Sequence, residues 1–222
     1  MKNIHEKSII LDFDHTIGYF KQFIFLINII ETIYKRKCTV DEYFLLINKY
    51  PYIFRPKIYD LIQFILSKND SYKFLILYTC NNNKKFVYLI INYIKHKLGK
   101  NKIFNYEVFQ NDGKKEKNIN FLEKEINDYG ETSYFYIDDK KYNEMKRKNI
   151  KFIHCEKYIY NYPIYEILEK FPFLNFNKIT QKILNKYLKK YEEKCKKISL
   201  PIDTYTISTI RLVGLINEFL SN

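Results

Sequence analysis

Ser8-Ile9-Ile10-Leu11-Asp12-Phe13-Asp14-His15-Thr16-Ile17-Gly18 is an apolar, β-branched run that ends abruptly in two carboxylates, with a threonine hydroxyl two positions further on. The run reads as a buried strand that delivers acids to its own carboxyl end. In open α/β sheets the ligand crevice lies just outside the carboxyl ends of the strands, so chemistry is expected at residues 12–16. Asp12 and Asp14, at i and i+2, would share one side of a continuing strand and repel each other unless a cation sits between them. Magnesium suits such a pair, since it takes hard oxygen ligands and uses one or two carboxylates together with a substrate phosphate.

Three further stretches repeat the pattern of strand followed by polar side chains. Phe74-Leu-Ile-Leu-Tyr-Thr79-Cys80-Asn81-Asn-Asn83 ends in a hydroxyl and asparagines that open a helix, a cradle for phosphate oxygens. Tyr134-Phe-Tyr-Ile-Asp138-Asp139 ends in a second acid pair that supplies further metal ligands. Lys114, Lys115 and Lys117 precede a helix at Asn118, where an ammonium can offset phosphate and carboxylate charge. Strand-like runs at Ser8–Leu11, Phe74–Tyr78, Ser133–Ile137 and Lys151–His154, with a further one at 101–109, alternate with helical patterns. The helical patterns fall at Lys57–Leu66, Lys84–Leu98, Asn118–Ile126 and Tyr142–Arg147. Such alternation predicts an α/β fold with a mostly parallel central sheet covered by helices.

Two amphipathic segments, Phe20–Lys35 and Val40–Lys49, follow the first acidic loop and are expected to form a helical insertion at 18–54, a lid over the crevice. Beyond Pro163 the pattern is wholly helical, with a basic helix near Lys178–Lys197 and an apolar one near Ile207–Leu220. In the basic helix Ile179, Ile183, Leu184, Tyr187, Leu188 and Tyr191 recur at three- and four-residue steps and read as a packing stripe. The expected organisation is a core over 1–175 and a helical C-terminal extension, 176–222, packed on it.

With 46% apolar and 18% aromatic residues, the 222-residue chain is globular and not disordered. A net charge of +13 favours acidic or phosphate-bearing partners. The lysines are spread along the chain, so a nucleic-acid platform is not indicated. Cys38, Cys80, Cys155 and Cys195 show no metal-binding spacing and read as free thiols of a reducing compartment. Neither the N-terminus nor the stretch 20–34, which carries Lys21, Gln22, Asn28 and Glu31, has signal or membrane character. An intracellular protein, cytoplasmic or nuclear and without a membrane, is expected.

The order Asp12-x-Asp14-x-Thr16, Thr79, Lys, Asp138-Asp139 resembles the four motifs of the haloacid-dehalogenase superfamily of aspartate-dependent phosphotransferases. Phe54-Arg55-Pro56 through Ile65, followed by Leu75-Ile-Leu-Tyr-Thr-Cys-Asn81, is similar to the Arg-Pro, Phe-Leu and Tyr-Thr block of the NLI-interacting-factor-like branch, which includes the RNA polymerase C-terminal-domain phosphatases. Ile164–Leu174 looks like the Leu-rich segment of that branch. The sequence departs from that pattern at His15, at Asp139 where the branch often has Asn, and in the helical character of 17–54. The resemblance implies a Rossmannoid three-layer sandwich and a Mg2+-dependent phosphatase.

In that scheme Asp12 is the nucleophile, Asp14 the general acid and base, and Thr16 orients the loop. Thr79, Cys80 and Asn81 bind phosphate with Lys117, for which Lys115 is the alternative. Metal ligation comes from Asp12, the Asp14 backbone carbonyl and an acid of the pair Asp138 and Asp139, with Asp139 as the direct ligand and Asp138 behind it or paired with the lysine. The implied substrate is a phosphoprotein carrying phosphoserine or phosphothreonine. A nucleic-acid end or small metabolite on the same scaffold, or a catalytically silent binding module, are the alternatives.

Overall fold

The computed structural model describes residues 6–110, 116–129, 132–142, 147–171, 178–194 and 200–221. Five strands, β1 (Lys7–Leu11), β2 (Phe74–Thr79), β3 (Tyr106–Phe109), β4 (Ser133–Asp138) and β5 (Ile150–His154), form one sheet in the order β3-β2-β1-β4-β5. Every pairing is parallel. With helices flanking this sheet, the fold is α/β, a Rossmann-like three-layer sandwich. The chain runs from β1 outward through β2 to β3, then crosses back to place β4 on the other side of β1. The carboxyl ends of β1 and β4 thus flank the topological switch point, where open α/β sheets open a crevice.

The chain divides into two compact units. The first comprises Met1–Ile17, Arg55–Tyr158 and Pro201–Asn222 and contains the sheet. Its helices are α3 (Ile58–Leu66), α4 (Lys84–Leu98), α5 (Ile119–Ile126) and α8 (Ile202–Ser221). Alternation along each strand sends Ile10, Ile76, Tyr78, Tyr134 and Tyr136 to one face, where they pack with Ile119, Leu122 and Ile126 of α5. Residues of the opposite parity include Phe135, whose ring meets Phe219 of α8 at 5.2 Å. Central-strand residues are close to fully buried, each worth on the order of 2 kcal/mol of transfer free energy, which explains why these runs are continuously apolar.

The second unit comprises Gly18–Phe54 and Ile159–Leu200 and holds α1 (Lys21–Tyr34), α2 (Val40–Lys49), α6 (Ile164–Glu169) and α7 (Lys178–Lys194). Its two chain segments are stitched by Gln22, whose Nε2 donates to Tyr162 O at 2.9 Å while its Oε1 accepts from Tyr162 N at 2.7 Å. Tyr50 OH donates to Ile167 O at 2.8 Å, and the Phe25 and Tyr191 rings lie 4.7 Å apart. Gly18 is required where it stands: a Cβ there would lie 2.4 Å from Ile53 O. Thr39 and Glu42 close a capping box at the start of α2.

Several elements differ from the sequence reading. The strand expected at 101–109 is confined to Tyr106–Phe109, because Ile103 and Phe104 are buried in the preceding loop and Asn105 is taken up in capping, its Oδ1 accepting from Leu75 N at 2.7 Å. The last helix begins at Ile202, directly after Pro201, instead of at Ile207. The expected extension 176–222 is shared between the units, α7 in the second and α8 in the first. Of the helix expected at Tyr142–Arg147, residues 143–146 lie outside the described residues, as do Lys114, Lys115 and Cys195. Among the described residues no helix is long and apolar enough to cross a membrane.

Candidate functional site

The loop after β1 is fixed at its start by Asp12 N, which donates to Ile137 O at 3.0 Å and so ties the first acidic motif to the end of β4. Lys117 reaches this point from the segment before α5. Its own backbone neighbourhood is locked by two polar side chains. Asn118 N donates to Gln110 Oε1 at 2.9 Å and to Tyr78 OH at 3.0 Å, and Tyr78 OH donates to Asn118 O at 2.8 Å. The Asn118 side chain caps α5 by accepting from Asn120 N at 2.8 Å.

The Lys117 side chain is 2% exposed, and its Nζ donates both to Asp12 Oδ1 and, at 2.8 Å, to Asp138 Oδ2. Rings of Tyr78 and Tyr136 lie 5.3 and 5.6 Å from the same ammonium. Thr16 Oγ1 donates to Asp12 Oδ2 at 3.1 Å, so both oxygens of Asp12 are engaged. Asp138 is saturated as well: Tyr136 OH also donates to Oδ2 and Lys140 N donates to Oδ1, each at 2.8 Å.

Asp139 differs from its neighbour. It is buried, yet its Oδ2 has no hydrogen-bond partner, and the nearest cation, Lys157 Nζ, stands 3.6 Å away, beyond hydrogen-bond reach. Asp12, Asp138 and Asp139 each offer a carboxylate oxygen within 4.8 Å of the others. A buried, unpartnered carboxylate oxygen within a cluster of hard oxygen donors fits a divalent cation such as Mg2+. The Asp14 carboxylate is not part of this cluster. It accepts instead from Asn81 Nδ2 at 2.9 Å, while Asn81 N donates to Thr79 Oγ1 at 3.0 Å. Thr79 is buried at the end of β2 and Cys80 is half-buried beside it.

Electrostatics follow from burial. The Asp12 carboxyl is pushed up to about 7 by burial, against the pull of Lys117 and with the repulsion of Asp138. Asp14 is raised by burial, opposed by its Asn81 hydrogen bond. Burial pulls the Lys117 ammonium down, and the facing carboxylates of Asp12 and Asp138 outweigh it and raise it above the ordinary lysine value. His15 is lowered by burial, although its Nδ1 makes a 2.8 Å bond with Tyr158 O that favours the cation.

Arg55, to which the sequence alone gives no task, lies beneath the loop. The side chain is 1% exposed, its Nε donates to Thr16 O at 2.7 Å, and its Nη2 donates to His15 O at 3.0 Å and to Glu156 O. Tyr158 and Tyr205 flank the guanidinium, each ring centroid 5.7 Å away. This staple holds His15 at φ 66°, a left-handed conformation that turns the chain sharply between Asp14 and Thr16. The Arg-Pro pair was the available signal. Tyr136 was legible too, as the residue two before Asp138 on one strand face, whereas Lys157 carries no local signature.

Asp12, Thr16, Lys117, Asp138 and Asp139 are therefore brought together around one point, and Asp14, Asn81 and Thr79 form a hydrogen-bonded chain beside it. Compared with known proteins, the chain matches no family model, no curated protein and no solved structure.

Proposed function

We propose that the protein is a Mg2+-dependent phosphatase that hydrolyses a phosphomonoester through an aspartyl-phosphate. The observation that carries the reading is the convergence of Asp12, Asp138 and Asp139 at the switch point with a buried lysine between two of them and an oxygen without a hydrogen bond on the third. Asp12 and Asp139 would hold the cation, with Asp139 Oδ2 the oxygen that no hydrogen bond occupies and Asp138 held behind them by Lys117, Tyr136 and the Lys140 amide. When bound, Mg2+ supplies the positive charge that phosphoryl transfer draws on.

The chain's own groups account for the remaining chemistry. A carboxylate oxygen of Asp12 attacks phosphorus in line, forming the acyl-phosphate bond while the bond from phosphorus to the leaving oxygen breaks. Asp14, raised by burial and oriented by Asn81, gives its proton to the departing alkoxide. A water then attacks the phosphorus, its proton returns to Asp14, and the bond to Asp12 breaks to release inorganic phosphate. Lys117 and Thr16 hold Asp12 in place through both steps, and Thr79 with the amides after it cradles the phosphate. The resemblance of Phe54–Ile65 and Leu75–Asn81 to the polymerase-tail phosphatases points to phosphoserine or phosphothreonine on a protein as substrate.

The test is hydrolysis of an aryl phosphate, then of a phosphoserine peptide, by the full chain with 5–10 mM Mg2+ and with EDTA. Turnover should require the metal and fall by about three orders of magnitude or more in Asp12→Asn. Metal-independent turnover, or Asp12→Asn turnover within tenfold of the unaltered chain, would remove this proposal.

A further inference from the structure

Beside the acid cluster stands a cation that the proposed mechanism leaves without a task. Lys157 Nζ lies 3.6 Å from Asp139 Oδ2, and its side chain is 42% exposed where that of Asp139 is 2% exposed. Other cations that face a buried carboxylate close the hydrogen bond: Lys117 reaches Asp138 at 2.8 Å and Arg147 reaches Glu123 at 3.0 Å. Lys157 does not, although its flexible four-carbon stem would allow it, and Asp139 Oδ2 is left without a hydrogen bond. The ammonium therefore stands on the exposed side of the cluster with its donors unspent among the described residues.

The backbone that carries Lys157 is fixed at the residue itself and on both sides of it. Cys155 N donates to Asp138 O at 2.9 Å, Glu156 O accepts from Arg55 Nη2, Lys157 O accepts from Tyr205 OH at 3.3 Å and Tyr158 N donates to His15 O at 2.9 Å. These bonds tie the segment to the acidic loops after β1 and β4. A fixed backbone with an unbonded ammonium suits an anion contact, because little is left to order when the anion arrives and the head can still follow it.

Charge points the same way. Asp12, Asp138 and Asp139 bring three carboxylates together; Lys117 offsets one, and a divalent cation would offset the other two. A site filled in that way is neutral, so a phosphate dianion would enter beside carboxylates with no positive charge left to meet it. Arg55 spends its guanidinium on the carbonyls of Thr16, His15 and Glu156. Among the described residues Lys157 is, besides Lys117, the cation in ion-pair range of the cluster.

We propose that Lys157 binds the phosphate of the substrate, its ammonium passing from Asp139 to a phosphoryl oxygen when the anion enters. The assignment rests on the phosphatase reading for its ligand, but its test needs no turnover. The experiment is isothermal titration calorimetry of the full chain with Mg2+ alone, and then with inorganic phosphate at saturating Mg2+. Lys157→Gln should weaken phosphate binding at least about tenfold, as loss of a charge-assisted hydrogen bond requires. Mg2+ binding alone should hold or tighten, since a cation facing Asp139 is gone. Lys157→Arg should bring phosphate affinity back to within about threefold of the unaltered chain. Lys151→Gln, which removes a lysine 3.7 Å from Glu218, should leave both affinities within about twofold.

The opposite signs separate the roles. A lysine that only supports the fold would, when replaced, weaken both ligands, and one that only neutralises Asp139 would alter Mg2+ binding alone. Phosphate affinity within about threefold in Lys157→Gln, an equal loss in Lys151→Gln, a parallel loss of Mg2+ binding, or no phosphate binding by the unaltered chain at about 20 mM would each overturn the assignment. Phosphate held through Lys157 by a chain that hydrolyses no phosphomonoester would remove the phosphatase reading and leave this assignment standing.

Discussion

Lys117→Met is the most searching perturbation of the site, because it removes one charge from a cluster built around it and changes little else. The side chain is 2% exposed, and its ammonium is shared by Asp12 and Asp138, which are 5% and 0% exposed. Methionine keeps nearly the same length and volume, so the cavity contribution is small. What remains is two carboxylates buried without their shared cation, with Asp139 beside them. Breaking a buried pair from one side costs about 3–5 kcal/mol. For a chain of this size that is a melting temperature lowered by about 6–20 °C, at about 2–4 °C per kcal/mol. Thermal unfolding followed by circular dichroism in EDTA measures it directly. Adding Asp138→Asn to Lys117→Met removes one of the stranded charges, so the double variant should be more stable than the sum of the two single losses by about 1–3 kcal/mol. If Lys117→Met melts within about 2 °C of the unaltered chain, or the two substitutions add to within about 0.5 kcal/mol, the ammonium does not bind this cluster together.

Asp139→Asn should weaken Mg2+ binding, read by isothermal titration calorimetry, by at least about tenfold, while the melting temperature in EDTA holds or rises, since its Oδ2 gives up no hydrogen bond; a strongly lowered melting temperature would make the residue structural. Arg55→Lys keeps the charge but cannot hold Thr16, His15 and Glu156 carbonyls at once, so stability should fall by about 1–3 kcal/mol in urea unfolding, and a neutral result would refute the staple. Glu42 is held down to about 2 by its Arg36 and Thr39 hydrogen bonds, below the usual 4.5. The unfolded chain therefore binds that proton more tightly, and the stability Glu42 contributes is full above about pH 4.5 and lost as pH falls toward 2. Glu42→Gln should flatten the unfolding profile across that window, and an unchanged slope would show that the Arg36 pair contributes nothing.

The fold class was readable from periodicity. Runs such as Ile9–Leu11, Leu75–Tyr78 and Tyr134–Ile137 are apolar on both strand faces, which only a sheet covered on both sides can bury. The acids and hydroxyls were readable for the same reason: Asp12, Thr79 and Asp138 stand where those runs stop, and the stop marks the sheet's carboxyl edge. Strand order, register and three-dimensional convergence depend on contacts between residues a hundred positions apart, such as Lys117 with Asp12, and local patterning does not encode them. Arg55 shows the limit clearly. As a letter it is one cation among 38 basic residues, and its place beneath Thr16 and His15 exists only once the loop at 155–158 has packed against it.

Helix α7 shows the same limit from the other side. Its periodicity announced a stripe of six apolar residues, but how much of a stripe is covered depends on the width of the surface it meets, and Ile183 and Tyr187 lie beyond that width. Chain-local chemistry thus dictated the elements and the character of their ends, because backbone and side-chain preferences act over a few residues. Which ends meet, which carboxylate keeps a free oxygen and which helix face stays bare were settled by long-range packing, where each group's surroundings come from distant parts of the chain.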